Sequence, residues 1–165
     1  MRRVYLIRHG IAVPPGSTEF PDAERPLTEE GIARMKQVAR GLARLEFEVE
    51  RIVSSPLPRA LQTARIVAAA LGSAELVEDD ASLSANRSAE AIAGWLAERQ
   101  ESSLALVGHN PAFSELVPLL VLGMTAASMC DLKRGGVAAL VSDGPGAPYR
   151  IDWLARPRLL RRIGR

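Results

Sequence analysis

The sequence predicts an α/β domain: a three-layer sandwich with a mainly parallel sheet of about six strands, one edge antiparallel, and helices on both faces. Three observations predict it. Short apolar runs alternate along the chain with longer stretches whose apolar residues recur every three or four positions. The run Leu104 to Val107 is apolar at consecutive positions, as a buried strand is. The last two runs are joined by a turn-rich connector rather than a helix, which fits a hairpin at the edge of the sheet.

The elements follow in order. Val4-Tyr5-Leu6-Ile7 is the first strand. Thr28 to Leu45 reads as a helix, with Ile32, Met35, Val38, Ala39, Leu42 and Leu45 on one stripe. Thr28 suits its cap, and Glu29 and Glu30 suit the positive end of its dipole. Arg51 to Ser54 is a second strand, and Arg59 to Leu71 a second helix ended by Gly72. Glu75-Leu76-Val77 is a weak third strand, and Ser88 to Gln100 a third helix capped by Ser88. Leu104 to Val107 is a buried-type strand, followed by a helix from about Pro111 to Leu122. Val137 to Val141 and Tyr149 to Leu154 are two further strands, connected through Ser142-Asp143-Gly144-Pro145-Gly146-Ala147. Residues 1–155 form the domain and 156–165 an Arg-rich C-terminal tail.

Composition narrows the function classes. At 165 residues, 47% hydrophobic and 24% charged, the chain suits one soluble globular domain. No apolar run approaches a membrane span, and the N-terminus does not read as a signal peptide. The single cysteine, Cys130, excludes an intramolecular disulfide, and the chain reads as cytoplasmic. The pI near 9.1 comes from Arg156, Arg158, Arg161, Arg162 and Arg165; without that tail, read as solvated or partly frayed, the body is mildly acidic. This distribution argues against a nucleic acid partner.

In parallel α/β sheets ligands bind beyond the carboxyl ends of the strands. Both histidines of the chain lie there. His9 follows the first strand in Ile7-Arg8-His9-Gly10, and His109 follows the fourth in Val107-Gly108-His109-Asn110-Pro111. The second strand ends in Ser54-Ser55-Pro56-Leu57-Pro58-Arg59-Ala60, which opens a helix. Two imidazoles and two guanidiniums therefore reach one side of one sheet. Arg8 and Arg59 offer forked donors for an oxyanion. Asn110 reads as an N-cap with Pro111 at the first helical position, so that a helix N-terminus faces the same anion. A neutral imidazole beside a phosphoryl group so held can attack phosphorus while the cations stabilise the transferring oxygens.

Arg8-His9-Gly10, the stretch Ser55-Pro56-Leu57-Pro58-Arg59-Ala60-Leu61-Gln62-Thr63 and Gly108-His109 together resemble the histidine phosphatase superfamily, which includes the cofactor-dependent phosphoglycerate mutases. The short chain and Arg25-Pro26-Leu27-Thr28-Glu29-Glu30-Gly31 look most like its SixA branch of phosphohistidine phosphatases. The resemblance implies that His9 is the phosphorylated nucleophile and that Arg8, Arg59 and His109 complete the phosphate pocket. It makes Ser55 and Asn110 lesser contacts at the edge. Arg25 either stands at the entrance or braces the loop before the first long helix. The superfamily commonly takes a carboxylic general acid from the loop after the third strand. Here Ser82 aligns with that acid, and Asp79 and Asp80 are the candidates to substitute for it.

The implied partner is a phosphorylated protein carrying phosphohistidine, or a small phosphomonoester, with no metal and no cofactor. A phosphate-binding regulatory module without catalysis is the alternative from another class. Cys130-Asp131-Leu132-Lys133-Arg134 is too short and lacks the glycines of a cysteine-phosphatase loop. Arginines beside the histidines disfavour a divalent cation, and no Gly-rich loop ending in Lys-Ser or Lys-Thr suggests nucleotide binding.

Overall fold

The structure, a computed structural model, describes residues 1–45, 47–144 and 146–165. Its strands are β1 (Arg2–Arg8), β2 (Arg51–Ser54), β3 (Val77–Asp79), β4 (Ser103–Gly108), β5 (Val137–Ser142) and β6 (Arg150–Ala155). Its helices are α1 (Glu29–Ala43), α2 (Pro58–Ala70), α3 (Ala89–Glu98), α4 (Ala112–Leu122) and α5 (Pro157–Ile163). The strands form one sheet in the order β3-β2-β4-β1-β5-β6. The first four run parallel; β5 reverses against β1, and β6 reverses against β5. Antiparallel pairing is thus confined to one edge, as expected.

The consecutive apolar runs are explained by burial on both sides of the sheet. Tyr5 and Ile7 of β1 pack with Met35, Val38 and Leu42 of α1, Val67 of α2 and Leu160 of α5. Their neighbours Val4 and Leu6 pack on the other side with Ile92 and Leu96 of α3 and Phe113 and Leu116 of α4. Each such side chain contributes about 1.5–3 kcal/mol on burial. The caps fall where the sequence puts them. Thr28 Oγ1 accepts from Gly31 N at 2.9 Å, and Ser88 Oγ accepts from Ala91 N at 3.2 Å.

Three local expectations are corrected. The third strand begins at Val77, after a 3₁₀ turn over Ala74–Leu76, because the register with β2 pairs Ile52 with Val77 and Ser54 with Asp79. This edge strand is held by its ladder and carries two acids, so its apolar pattern is misleading. Asn110 does not cap α4. Pro111 occupies the cap position with no side-chain bond, while Asn110 Nδ2 donates to Leu132 O at 3.1 Å. The expected frayed tail is α5. Leu160 is fully buried, and Arg40 Nε donates to Gly164 O at 3.1 Å. Gly41 permits this docking, since a Cβ there would lie 2.1 Å from Leu160 O. In the connector between β5 and β6, Pro145 lies outside the described residues. Among the described residues no helix is long and apolar enough to cross a membrane.

Candidate active site

The parallel register of β1 and β4 pairs Arg8 with Gly108, so His9 and His109 leave adjacent strands side by side. His9 N donates to Gly108 O at 3.0 Å, which extends the ladder by one rung. The two rings are 5.1 Å apart, centroid to centroid. On the other side of β4, Ser55 N donates to Val107 O at 2.9 Å, and α2 then opens with Pro58 and Arg59. The order β2-β4-β1 alone brings the three strand ends together.

The imidazole of His9 is fixed by its own neighbour. Nδ1 lies 2.7 Å from Gly10 O. A carbonyl only accepts, so the proton resides on Nδ1 and the lone pair on Nε2. Gly10 keeps the turn tight beneath α1: a Cβ there would meet Met35 Cγ at 2.5 Å. Burial first, then the charges of Arg59, Arg8 and Arg134, lower the His9 pKa from 6.5 to about 4, against a raising effect of the Gly10 bond. Burial, then the charges of His9 and the surrounding arginines, take His109 to about 3. Both rings are neutral at physiological pH. His109 Nε2 is 2.8 Å from Ser55 Oγ.

The two arginines are tied by one amine each. Arg8 Nη1 donates to Leu132 O at 2.9 Å, and Arg59 Nη1 donates to Asp22 O at 3.2 Å. The Nε of each is buried with no acceptor among the described residues. Two cationic donors withdrawn from water and left unpaired are costly unless an anion meets them. A neutral imidazole with a free lone pair, a second imidazole and two such guanidiniums suit a phosphoryl group. Among the described residues no group of three His, Cys, Asp or Glu side chains comes together to hold a metal.

The family model of the histidine phosphatase superfamily (branch 1) matches residues 4–84, a span with Arg8, His9, Arg25 and Arg59. An uncharacterized protein of Picosynechococcus sp. is 40% identical over 144 residues, 84% of this chain and 84% of that one. The protein histidine phosphatase SixA, solved with tungstate, is 25% identical with a TM-score of 0.82, over 96% of this chain and 99% of that one. This chain belongs to the histidine phosphatase superfamily. It is SixA-like and a hydrolase acting on phosphate groups. A mycobacterial glucosyl-3-phosphoglycerate phosphatase, solved with inorganic phosphate, shares the fold at 18% identity, with a TM-score of 0.72 over 96% of this chain and 99% of that one.

The fold of this histidine phosphatase brings Arg8, His9, Arg59 and His109 together. Ser55 reaches the pocket through His109: its Oγ accepts from Leu57 N at 3.3 Å and contacts the imidazole. Asn110 and Arg8 share the Leu132 carbonyl, so Asn110 anchors the loop before β5 beside the pocket. Arg25 braces the loop after β1. Its Nη1 donates to Val13 O at 2.7 Å, and its Nε pairs with Asp22 Oδ1 at 3.2 Å. Its charge still reaches His109 and Arg59.

Among the candidate acids, Asp80 has other work. Its Oδ1 accepts from Ser82 N at 2.7 Å, and its Oδ2 from Trp95 Nε1 at 2.9 Å. The Ser82 N–H foremost, with the Ser82 and Trp95 side chains, lowers its pKa, so it stays ionised and holds no proton to donate. Asp79 is exposed on the edge strand and Ser82 is half-buried in the turn that Asp80 caps. Thr63, Gln62 and Arg134 were missed as site residues. Thr63 Oγ1 accepts from Gly10 N at 3.1 Å and donates to Arg59 O at 2.7 Å, tying the His9 turn to α2. Gln62 Oε1 accepts from Leu27 N at 2.7 Å. Both lie in the stretch that carries the family resemblance, which was the available signal.

Proposed function

We propose that this phosphatase acts through a phosphohistidine on His9 and that its preferred substrate is phosphohistidine on a protein. The observation that carries the reading is the His9 tautomer: Nδ1–H is committed to Gly10 O, and Nε2 is neutral and unprotonated beside two arginine donors without acceptors. In the first step the Nε2 lone pair forms a bond to phosphorus while the bond to the leaving group breaks, and that group departs with the electron pair. In the second step water attacks the same phosphorus, the P–Nε2 bond breaks, and orthophosphate leaves. Arg8 and Arg59 hold the equatorial oxygens. The contact between Ser55 Oγ and His109 Nε2 fixes the orientation of the second imidazole beside the phosphoryl group.

Two features support phosphohistidine over alkyl esters. Asp80 serves as an ionised cap, whereas an alkoxide needs a proton donor worth about 10²–10⁴-fold. An imidazole protonated on its distal nitrogen leaves as a neutral molecule and depends far less on one. The second feature is the border of the pocket. The loop that borders it is exposed over most of residues 14–24. A phosphorylated side chain on a folded partner can enter such a site.

The test is rapid quench without acid during turnover. It should trap a phosphate that is acid-labile and base-stable, absent in His9→Ala. Specificity constants should fall in the order phosphohistidine protein, aryl phosphate, alkyl phosphate. Phosphate on another residue, or an alkyl ester preferred over phosphohistidine, would sink the reading. The small-phosphomonoester reading predicts the reverse order; a binding module predicts no phosphoenzyme.

A further inference from the structure

Charge in this molecule is segregated by layer. The helices on one face of the sheet, α1, α2 and α5, carry Arg34, Lys36, Arg40, Arg65, Arg161 and Arg162, against Glu29 and Glu30 in the first turn of α1. The helices on the other face, α3 and α4, carry Glu90, Glu98 and Glu115 and no cation. The total of +2 therefore conceals a concentration of cations on the α1-α2-α5 face.

The basic face is continuous with the pocket. Lys36, Arg40 and Arg65 line one shallow cleft between α1 and α2. Arg34, Arg134 and Arg161 line a second small cleft, about 40 Å³, whose inner wall is Gly10 and Ile11, the residues after His9. Arg161 Nε is buried there without an acceptor, and the charge of Arg134 reaches His9 and Arg8. The ion pair on this face among the described residues is Arg34 with Glu30, one turn apart on α1. Lys36, Arg40, Arg65 and Arg162 are exposed and form no ion pair among the described residues, so their mutual repulsion is unrelieved.

We propose that the α1-α2-α5 face receives an acidic protein surface, that of the phosphoprotein whose phosphorylated side chain enters the pocket. The inference rests on the phosphohistidine reading above and names the partner's chemistry. Charge complementarity selects the occupant. Arginine and lysine along three helices match scattered carboxylates of a folded acidic surface, and α3 and α4 carry no such series of cations. Geometry sets the footprint. Lys36 lies about 12 Å along α1 from its pocket end, and Arg65 about 9 Å along α2 from Arg59. An extended chain spans that distance in about three or four residues.

The test uses two synthetic peptides, each with one phosphohistidine, flanked at three to five residues by glutamates in one and serines in the other. The wild-type protein should favour the glutamate peptide roughly tenfold in kcat/KM, mainly through KM, with the preference fading by 0.5 M salt. The triple variant Lys36→Gln/Arg65→Gln/Arg162→Gln should lose the preference and keep its turnover of p-nitrophenyl phosphate. Equal rates for the two peptides, or a preference that survives the triple variant, overturn the proposal. If neither peptide nor the aryl phosphate is hydrolysed, the phosphohistidine reading has failed. Fluorescence anisotropy with the unphosphorylated peptides then still decides the surface, where wild type should bind the glutamate peptide and the triple variant should not. A DNA duplex that displaces the glutamate peptide at lower charge concentration than the peptide itself would assign the face to nucleic acid and overturn the proposal.

Discussion

With only two histidines in the chain, each imidazole can be followed by itself, and the pocket predicts an unusual titration. The perturbation is acid. Burial and flanking arginines place the His9 pKa at about 4 and that of His109 at about 3, below the ordinary 6.5. For His9 the displacement is worth about 3 kcal/mol between the charged and neutral forms. At pH 6 an ordinary histidine is about three-quarters protonated, while His9 should be about 1% protonated and fully competent to attack. The sign for stability follows from the same displacement. The unfolded chain takes up protons near pH 6.5 and the folded one only near pH 4, so stability falls as pH drops through that window. His9 alone should cost on the order of 3 kcal/mol by pH 4. The assay is a ¹H–¹³C NMR titration of the ring C–H signals, assigned with His9→Asn. In anion-free buffer both midpoints should lie below pH 5. Saturating orthovanadate should raise both, because an oxyanion offsets the arginine charges that oppose protonation. A His9 midpoint at 6 or above in the anion-free protein would refute the picture of a desolvated, cation-flanked nucleophile.

Other perturbations separate the roles of individual groups. Arg59→Ala removes charge-assisted bonds worth about 1.5–3 kcal/mol, so kcat/KM for an aryl phosphate should fall roughly 10- to 150-fold in steady-state assays. Asp80→Ala should lower stability by about 1–2 kcal/mol in urea denaturation and leave alkyl phosphate hydrolysis within twofold. A selective hundredfold loss on the alkyl substrate would return Asp80 to the role of acid. Gly41→Ala forces a Cβ against the Leu160 carbonyl and should expose α5 to limited proteolysis between the arginines of residues 156–165, which the wild-type protein resists. Activity should survive a strong chelator and be inhibited by orthovanadate, since Arg8 and Arg59 already bring the positive charge; loss on chelation restored by a divalent ion would contradict this.

The parts of the site legible in the sequence are those attached to strand ends. A run of consecutive apolar residues fixes a buried parallel strand, and a polar residue just past it can only emerge at the ligand edge. Hence His9, Arg8 and His109 were readable, and Arg59 with them at the start of α2. What could not be read is carried by backbone groups and by competition for partners. The carbonyls of Leu132 and Asp22 aim Arg8 and Arg59, and a carbonyl has no signature in the residue that bears it. Asn110 had the composition of an N-cap, but Pro111 takes the cap position, and the Asn110 Oδ1 that would accept is buried without a donor among the described residues while its Nδ2 donates to Leu132 O. Residues 156–165 looked solvated because one buried leucine among arginines carries no periodicity, although Gly41 and Gly164 had been left small enough for helix and chain end to meet. Asp80 shows the same rule at the point where it matters for mechanism. The sequence supplies a carboxyl group in the right loop. Only its bonds to Ser82 N and Trp95 Nε1 reveal that it holds a turn closed as an anion, which in the proposed mechanism shifts the burden of the leaving group from the enzyme to the substrate.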